Sequence, residues 1–291
     1  MGLSATIVIP AYNEGQALPI TVPAVLELCR KHHWKLIIVN DGSTDDSRLI
    51  LTQFKENPQL LVLHHKLNLG YGGALKTGLA VADTDFVITF DADGQHQIED
   101  IPRLLQMMID QDADLVIGAR KRNKQSHWYR ELGKWIIRRV ASVLMPMHLH
   151  DLNSGFKCYR TELVQQYLHL CPNSMAFSDV IALIFLNQRH RVIEVPIEVL
   201  PRTSGESSIS TRTAFETLLE ILNLVMLFNP LRIFLPLSIL CILVGLIWGI
   251  PFIILGRGVS VGAMLAIVSG LLMFTIGLVS EQLSQIRRRQ K

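Results

Sequence analysis

Two long stretches without a charged side chain dominate what this chain can become. Residues 233–256 are 24 in a row and residues 258–280 are 23 more. Each exceeds the roughly 20 apolar residues a helix needs to cross a bilayer. Arg257, in Gly256-Arg257-Gly258, is the one charge between them and marks a turn. Pro236, Pro251 and several glycines lie inside, which membrane helices tolerate better than soluble ones. Arg232 precedes the pair, and Arg287, Arg288, Arg289 and Lys291 follow it. The positive-inside rule then puts both ends on the cytoplasmic side and Arg257 outside, as in a multi-pass protein of the cell (inner) membrane. The competing reading is a helical hairpin buried in a soluble core. Gly245, Gly249, Gly262, Gly270 and Gly277 offer close-packing surfaces through which copies could form a homo-oligomer.

Upstream, residues 213–229 carry Phe215, Leu218, Leu219, Leu222, Val225, Met226 and Phe228 largely on one helical side, with Glu216, Glu220 and Asn223 elsewhere. That pattern predicts an amphipathic helix lying in the membrane interface or packed on a globular domain. The chain is thus parsed into a globular domain at 1–211, an interface helix at 212–231, and a membrane hairpin with a basic tail at 232–291.

The remainder reads as globular. Charged residues make up 18% of the chain and the formal net charge is +3. This excludes a disordered polyelectrolyte. It also argues against nucleic acid as a partner, since little excess positive charge exists to neutralise phosphates. Cys29, Cys158, Cys171 and Cys241 are far apart and form no CxxC pair, as expected in a reducing compartment. The first ten residues lack a basic leader and carry an apolar run of strand length only, so no signal peptide is expected.

Short apolar runs at 5–9, 36–39, 60–63, 86–90 and 115–117 predict strands. They are rich in Val, Ile and Leu and do not alternate, as in parallel strands covered on both faces. Helical patterns at 18–32, 45–55, 73–82 and 99–111 separate them. The βαβα order predicts an α/β fold with a mostly parallel, doubly wound sheet. In such sheets ligands bind at the carboxyl ends of the strands.

Four strand ends carry polar motifs: Pro10-Ala11-Tyr12-Asn13-Glu14, Asn40-Asp41-Gly42-Ser43-Thr44-Asp45, Asn68-Leu69-Gly70-Tyr71-Gly72-Gly73, and Asp91-Ala92-Asp93-Gly94-Gln95-His96. Taken singly, the second could be a turn with Ser43 or Thr44 capping a helix, and the third any glycine-rich turn. Together, on successive strand ends, they describe a site. Asp91 and Asp93 can share a divalent cation, with Gln95 as a further hard oxygen ligand. Mg²⁺ or Mn²⁺ suits such oxygens and fills its shell with substrate phosphates and water. Such an ion neutralises charge on a departing diphosphate.

This ordered set resembles glycosyltransferase family 2, with its GT-A nucleotide-sugar-binding fold. The similarity extends through Gly118-Ala119-Arg120, Asn153-Ser154-Gly155-Phe156-Lys157, Glu194-Val195-Pro196-Ile197, Arg202 and Gly205-Glu206-Ser207. Within the family it is strongest to the polyprenol-phosphate glycosyltransferases, of the dolichol-phosphate mannosyltransferase type. The resemblance implies that Pro10, Tyr12, Glu14, Val39, Asp41, Asp91 and Ala92 hold the nucleotide. It implies that Asp91, Asp93 and Gln95 hold metal and diphosphate, and that Arg120 and Arg202 contact phosphates. Close relatives commonly carry Lys after Gly-Glu-Ser, where this chain has Ser208. Lys157, Arg160 or Arg212 are the candidates to replace that cation.

The expected reaction is inverting transfer of a hexose from a GDP- or UDP-linked sugar to a polyprenyl (undecaprenyl or dolichyl) phosphate in the bilayer. A phosphate monoester, with a second pKa near 6, is already mostly deprotonated at neutral pH. Catalysis then reduces to positioning and electrostatics. Asp179, at a helix start, is either a general base or acceptor-site residue, or a carboxylate favoured there by the helix dipole. Two rivals remain: a family relative that glycosylates a sugar or lipid hydroxyl, and a non-catalytic nucleotide-sugar-binding membrane protein. His148 and His150 read as a polar loop or a metal pair, His64-His65 as structural or solvated, and the basic run from Arg120 to Lys124 as a solvated or headgroup-facing loop.

Overall fold

The computed structural model describes residues 4–120, 149–199, 226 and 229–289. These fall into two compact units, one built around a sheet and one around a helical hairpin. In the first unit, β1 (Ala5–Ala11), α1 (Leu18–His32), β2 (Lys35–Asn40), α2 (Ser47–Thr52), β3 (Leu60–His64), α3 (Tyr71–Val81), β4 (Phe86–Thr89), α4 (Asp100–Asp110) and β5 (Leu115–Arg120) alternate along the chain. Then follow β6 (Lys157–Arg160), α5 (Thr161–Tyr167), α6 (Phe177–Asn187) and β7 (Val192–Ile197).

The strands form one seven-stranded sheet in the order β3-β2-β1-β4-β6-β5-β7. Every residue of β1 is buried, and so is every residue of β4. This double-sided burial is why these segments are continuous apolar runs. α4 turns Ile101, Leu104, Leu105 and Met108 to the core, a one-face stripe at helical spacing. α1 does the same with Leu18, Val22, Val25, Leu26 and Cys29. Chain order reverses between β1 and β4, which splays the loops after them and opens a crevice at their carboxyl ends.

The sheet is mixed. β1, β2, β3 and β4 are parallel, as are β5 and β7, but β6 runs antiparallel to both β4 and β5. The sequence concealed β6 because two of its four residues are cations, Lys157 and Arg160. Pro196 sits in β7, the outermost strand, where a missing backbone donor is tolerated.

In the second unit, α7 (Leu231–Ile254) and α8 (Val261–Arg289) form the hairpin. The turn between them is wider than Gly-Arg-Gly, with Gly256 and Gly258 at φ 68° and 77°. α8 continues past Ser280, so Arg287 to Arg289 lie on the helix end and not beyond it. Both helices are long and apolar enough to span a bilayer, and only 17% of each apolar window is buried within the structure. A core hairpin of a soluble protein would bury most of that surface. The glycines serve the hairpin itself. A methyl on Gly245 would meet Ile267 Cγ1 at 2.7 Å, one on Gly270 would meet Ile242 Cγ1 at 2.6 Å, and one on Gly277 would meet Phe234 Cβ at 2.7 Å. Gly249 faces Ala263 at 2.9 Å, and only Gly262 is open, with nothing nearer than 3.8 Å. The expectation that these glycines face other copies is therefore corrected for four of the five. Most of 213–229, the expected interface helix, lies outside the described residues.

Candidate active site

A cavity of about 430 Å³ occupies the crevice of the sheet unit. The chain reaches it from β1 through Pro10, Ala11, Tyr12 and Glu14, and from β2 through Asp41. From β4 come Asp91, Ala92, Asp93, Gln95 and His96, and from β5 Arg120. Asn153 and Gly155 enter just before β6, while Asn68, Tyr71, Met175 and Ser178 come from helix starts and the turns before them.

The first two loops are stitched together by short polar side chains. The Asn13 N–H donates to Ser43 Oγ at 3.0 Å, and the Thr44 N–H to Asn13 Oδ1 at 2.9 Å. The Glu14 N–H donates to Ser47 Oγ at 3.0 Å, and the Gly15 N–H to Asp45 Oδ2 at 2.9 Å. Ser43 and Thr44 thus hold the neighbouring loop and do not cap α2, which begins at Ser47. Tyr12, 46% exposed, presents its ring at the cavity wall, where a base can stack.

Asp41 is 2% exposed and its carboxylate is already engaged. It accepts the N–H of Leu69 and of Gly70, both at 2.9 Å, and His65 Nδ1 lies 2.6 Å away. His65 is in turn joined to Thr77 at 2.9 Å, the structural role expected for it. Asp41 thus shapes the turn into α3 while lining the cavity. Val39 is fully buried in the sheet and does not line the cavity. Any part it plays toward a nucleotide runs through the backbone.

Asp91 is held by a residue whose role the motif reading left blank. The Tyr71 hydroxyl, at the start of α3, donates to Asp91 Oδ1 at 2.9 Å and is hydrogen-bonded to Ser178 of α6. Burial first, then the adjoining carboxylate, push the Tyr71 phenol well above its ordinary value, so it stays a donor. Asp93 Oδ1 accepts the N–H of Gln95 at 3.1 Å. Among the described residues no three His, Cys, Asp or Glu side chains converge as a ready metal cage. Two carboxylates and the Gln95 amide in one cavity do fit a hard cation that takes its other ligands from water and substrate oxygens.

Arg120 closes the far wall, its guanidinium paired side-on with Asp151 at 2.7 and 2.8 Å. Burial pushes Asp151 up, but the Arg120 side chain and backbone donors outweigh it and hold the carboxyl below its ordinary value. Lys157 is fully buried and donates to the carbonyls of Leu152 and Ser154. Burial pushes its ammonium down to about 8, while Asp179, Asp151 and Asp91 pull it back up. It is a loop clasp and does not line the cavity. Arg160 is at the opposite end of the sheet, paired with Asp112 at 2.5 Å and Asp114 at 3.2 Å. Neither residue therefore replaces the cation missing at Ser208. His150 Nδ1 lies 3.0 Å from Glu194 Oε2, in the polar loop expected of it. Asp179 lies in the first turn of α6 beside the lining residue Ser178. Arg202, Ser208, Arg212, His148 and Lys121 to Lys124 lie outside the described residues.

A sheet that reverses order at β1 and β4, with acidic residues after β4 and an arginine after β5 facing one crevice, is the arrangement of a GT-A transferase domain. The chain belongs to glycosyl transferase family 2, whose model matches residues 6–168; residues 229–286 match the GtrB C-terminal hairpin. It is 29% identical over 300 residues to the undecaprenyl-phosphate 4-deoxy-4-formamido-L-arabinose transferase of Photorhabdus laumondii subsp. laumondii, covering 97% of this chain and 89% of that one. To the enzyme of the same name from Sodalis glossinidius it is 31% identical over 209 residues, covering 70% of this chain and 62% of the relative, just under two thirds of its length. In fold it resembles glucosyl-3-phosphoglycerate synthase from Mycobacterium tuberculosis, solved with Mn²⁺, UDP-glucose and phosphoglyceric acid. The TM-score is 0.61 at 17% identity, over 77% of this chain and 80% of that one.

Proposed function

We propose that this glycosyltransferase moves a sugar from a nucleotide diphosphate sugar to a polyprenyl phosphate, with inversion, at the cytoplasmic face of the membrane. One observation carries the reading: an acidic and arginine-lined cavity occurs in the same chain as two bilayer-length helices. A membrane hairpin tethered to a transferase domain suits an acceptor whose phosphate emerges at the bilayer surface. The names of the relatives support the acceptor class. The motifs are shared by hexose and aminoarabinose-type donors alike; a hexose is the reading taken from the sequence, and the names of the relatives support a 4-deoxy-4-formamidopentose as the alternative.

Tyr12 and the loop it tops would receive the nucleoside, and Asp91, Asp93 and Gln95 would hold Mg²⁺ or Mn²⁺ against the diphosphate. That ion would supply charge neutralisation to the leaving group. Arg120 would add charge-assisted bonds to the same oxygens, and Arg202 is the second candidate from the motif. The acceptor phosphate attacks the anomeric carbon as a dianion, so no strong base is needed. Asp179 then acts through its charge in the first turn of α6, near Lys157 and Arg120.

The test is a panel of UDP- and GDP-linked hexoses and amino-pentoses, offered to the purified full-length chain with polyprenyl phosphate and either cation. The lipid product is read by mass. A monoglycosylated lipid phosphate formed only with cation is expected. Transfer to a glycolipid hydroxyl but not to the phosphate would move the chain to the first rival. No transfer or donor hydrolysis with any donor would leave it a binding protein.

A further inference from the structure

Arg120 ends β5 beside a carboxylate that is held more firmly than it is. The Asp151 side chain is 13% exposed against 45% for Arg120. Asp151 Oδ2 accepts both Nε at 2.7 Å and the Arg120 backbone N–H at 3.0 Å, while Oδ1 accepts Nη2 at 2.8 Å. What seats Asp151 is Glu194 in β7. Glu194 Oε1 accepts two successive backbone N–H groups, His150 at 2.7 Å and Asp151 at 2.8 Å. The pairing of β5 with β7 sets Glu194 opposite Ile117, three residues before Arg120. From the start of β6, Lys157 clasps the carbonyls of Leu152 and Ser154.

The edge of the guanidinium that Asp151 uses decides what the pair does. Arginine carries five N–H donors in a rigid fork. Asp151 takes the Nε–Nη2 edge, which leaves Nη1 and the second Nη2 hydrogen for the cavity that Arg120 lines. A counter-ion that only occupied an empty site would compete for the forward donors. This one fixes the plane of the group and leaves them free. We infer that Asp151, seated by Glu194, is a positioning residue that aims the Arg120 guanidinium at the diphosphate of the donor. The inference rests on the reading of Arg120 as a diphosphate contact.

The experiment is calorimetric binding of UDP and GDP, with UMP and GMP as controls, to the full chain in detergent with Mg²⁺. Wild type, Asp151→Asn, Arg120→Ala and the double variant are compared. Loss of an oriented, charge-assisted contact predicts about tenfold weaker diphosphate binding in Asp151→Asn, with the monophosphate within about twofold. In the Arg120→Ala background, Asp151→Asn should change nothing further, since the two act as one unit. Glu194→Ala should reproduce part of the loss, and it carries the same comparison should Asp151→Asn fail to fold. Equal weakening of mono- and diphosphate, or the full loss persisting without Arg120, overturns the positioning role. If Arg120→Ala binds diphosphate like wild type, the underlying reading of Arg120 fails, and the inference with it.

Discussion

Gly155→Ala adds a single methyl at the place where three segments converge on Asp91. A Cβ there would stand 2.5 Å from Asp91 Oδ2 and 3.0 Å from Oδ1, and closer still to the Tyr71 hydroxyl. Normal carbon contacts lie near 3.5 Å, so the Tyr71 and Asp91 side chains must each withdraw by about 1 Å. They cannot withdraw independently, because the 2.9 Å bond joins them and Tyr71 is buried between α3 and α6. Overpacking of this kind costs about 1–3 kcal/mol of stability. A displacement approaching 1 Å at a group proposed to hold metal and diphosphate would cost about a hundredfold in rate. The expected result is a fall of that order in kcat/KM for sugar transfer, with a higher Mg²⁺ requirement and a folded protein. The assay is transfer of labelled sugar to polyprenyl phosphate across a Mg²⁺ titration, with thermal melting of the same sample in detergent. Adding Tyr71→Phe removes the nearer of the two obstructing oxygens and should restore part of the activity. Activity within threefold of wild type, at an unchanged metal requirement, would show that this junction does not set the position of Asp91.

Asp93→Ala should abolish cation-dependent transfer while leaving the melting temperature within a few degrees; retained activity would remove the metal assignment. Asp179→Asn should lower turnover with lipid phosphate by less than about tenfold, because the dianionic acceptor needs no base; a loss above a thousandfold would make Asp179 a base. The Lys157 ammonium titrates near 8 in the folded chain against an ordinary 10.5. Between those values the unfolded chain binds the extra proton, so this group adds stability as pH rises, by about 3 kcal/mol over the whole window. Wild type should therefore gain stability relative to Lys157→Met between pH 8 and 10, and parallel melting curves would refute it. In the hairpin, Gly270→Ala should lower thermal stability and Gly262→Ala should not, since a methyl meets Ile242 at 2.6 Å in the first case and only Ser260 at 3.8 Å in the second.

The alternating elements from β1 to β5 are legible in the sequence because burial on both faces leaves each strand an unbroken apolar run. α1 and α4, covering one face each, show the helical stripe instead. β6 is hidden by Lys157, a buried cation whose partners are two backbone carbonyls, and no residue pattern announces a carbonyl. The acidic motif after β4 and the arginine after β5 were visible because such side chains cluster at strand ends for chemical reasons. Tyr71 was not, since it reaches Asp91 across about 20 residues of chain and looks like an ordinary helix start. Asp41 was conspicuous in its motif and does line the cavity, but the two backbone N–H groups its carboxylate accepts in the turn into α3 have no sequence signature.

The backward direction of β6 has an architectural consequence. β5 delivers Arg120 to the cavity edge, and β6 starts from that same edge just after Gly155. The end of β5 and the start of β6 therefore meet at one rim, where a parallel β6 would have begun at the opposite edge of the sheet. Asp151, Asn153 and Gly155, on the run into β6, come back to that rim beside Arg120. Arg120 at the end of β5 and Asp151 on the run into β6 are thereby held by one strand junction, so any shift of that junction would move the guanidinium and its partner together.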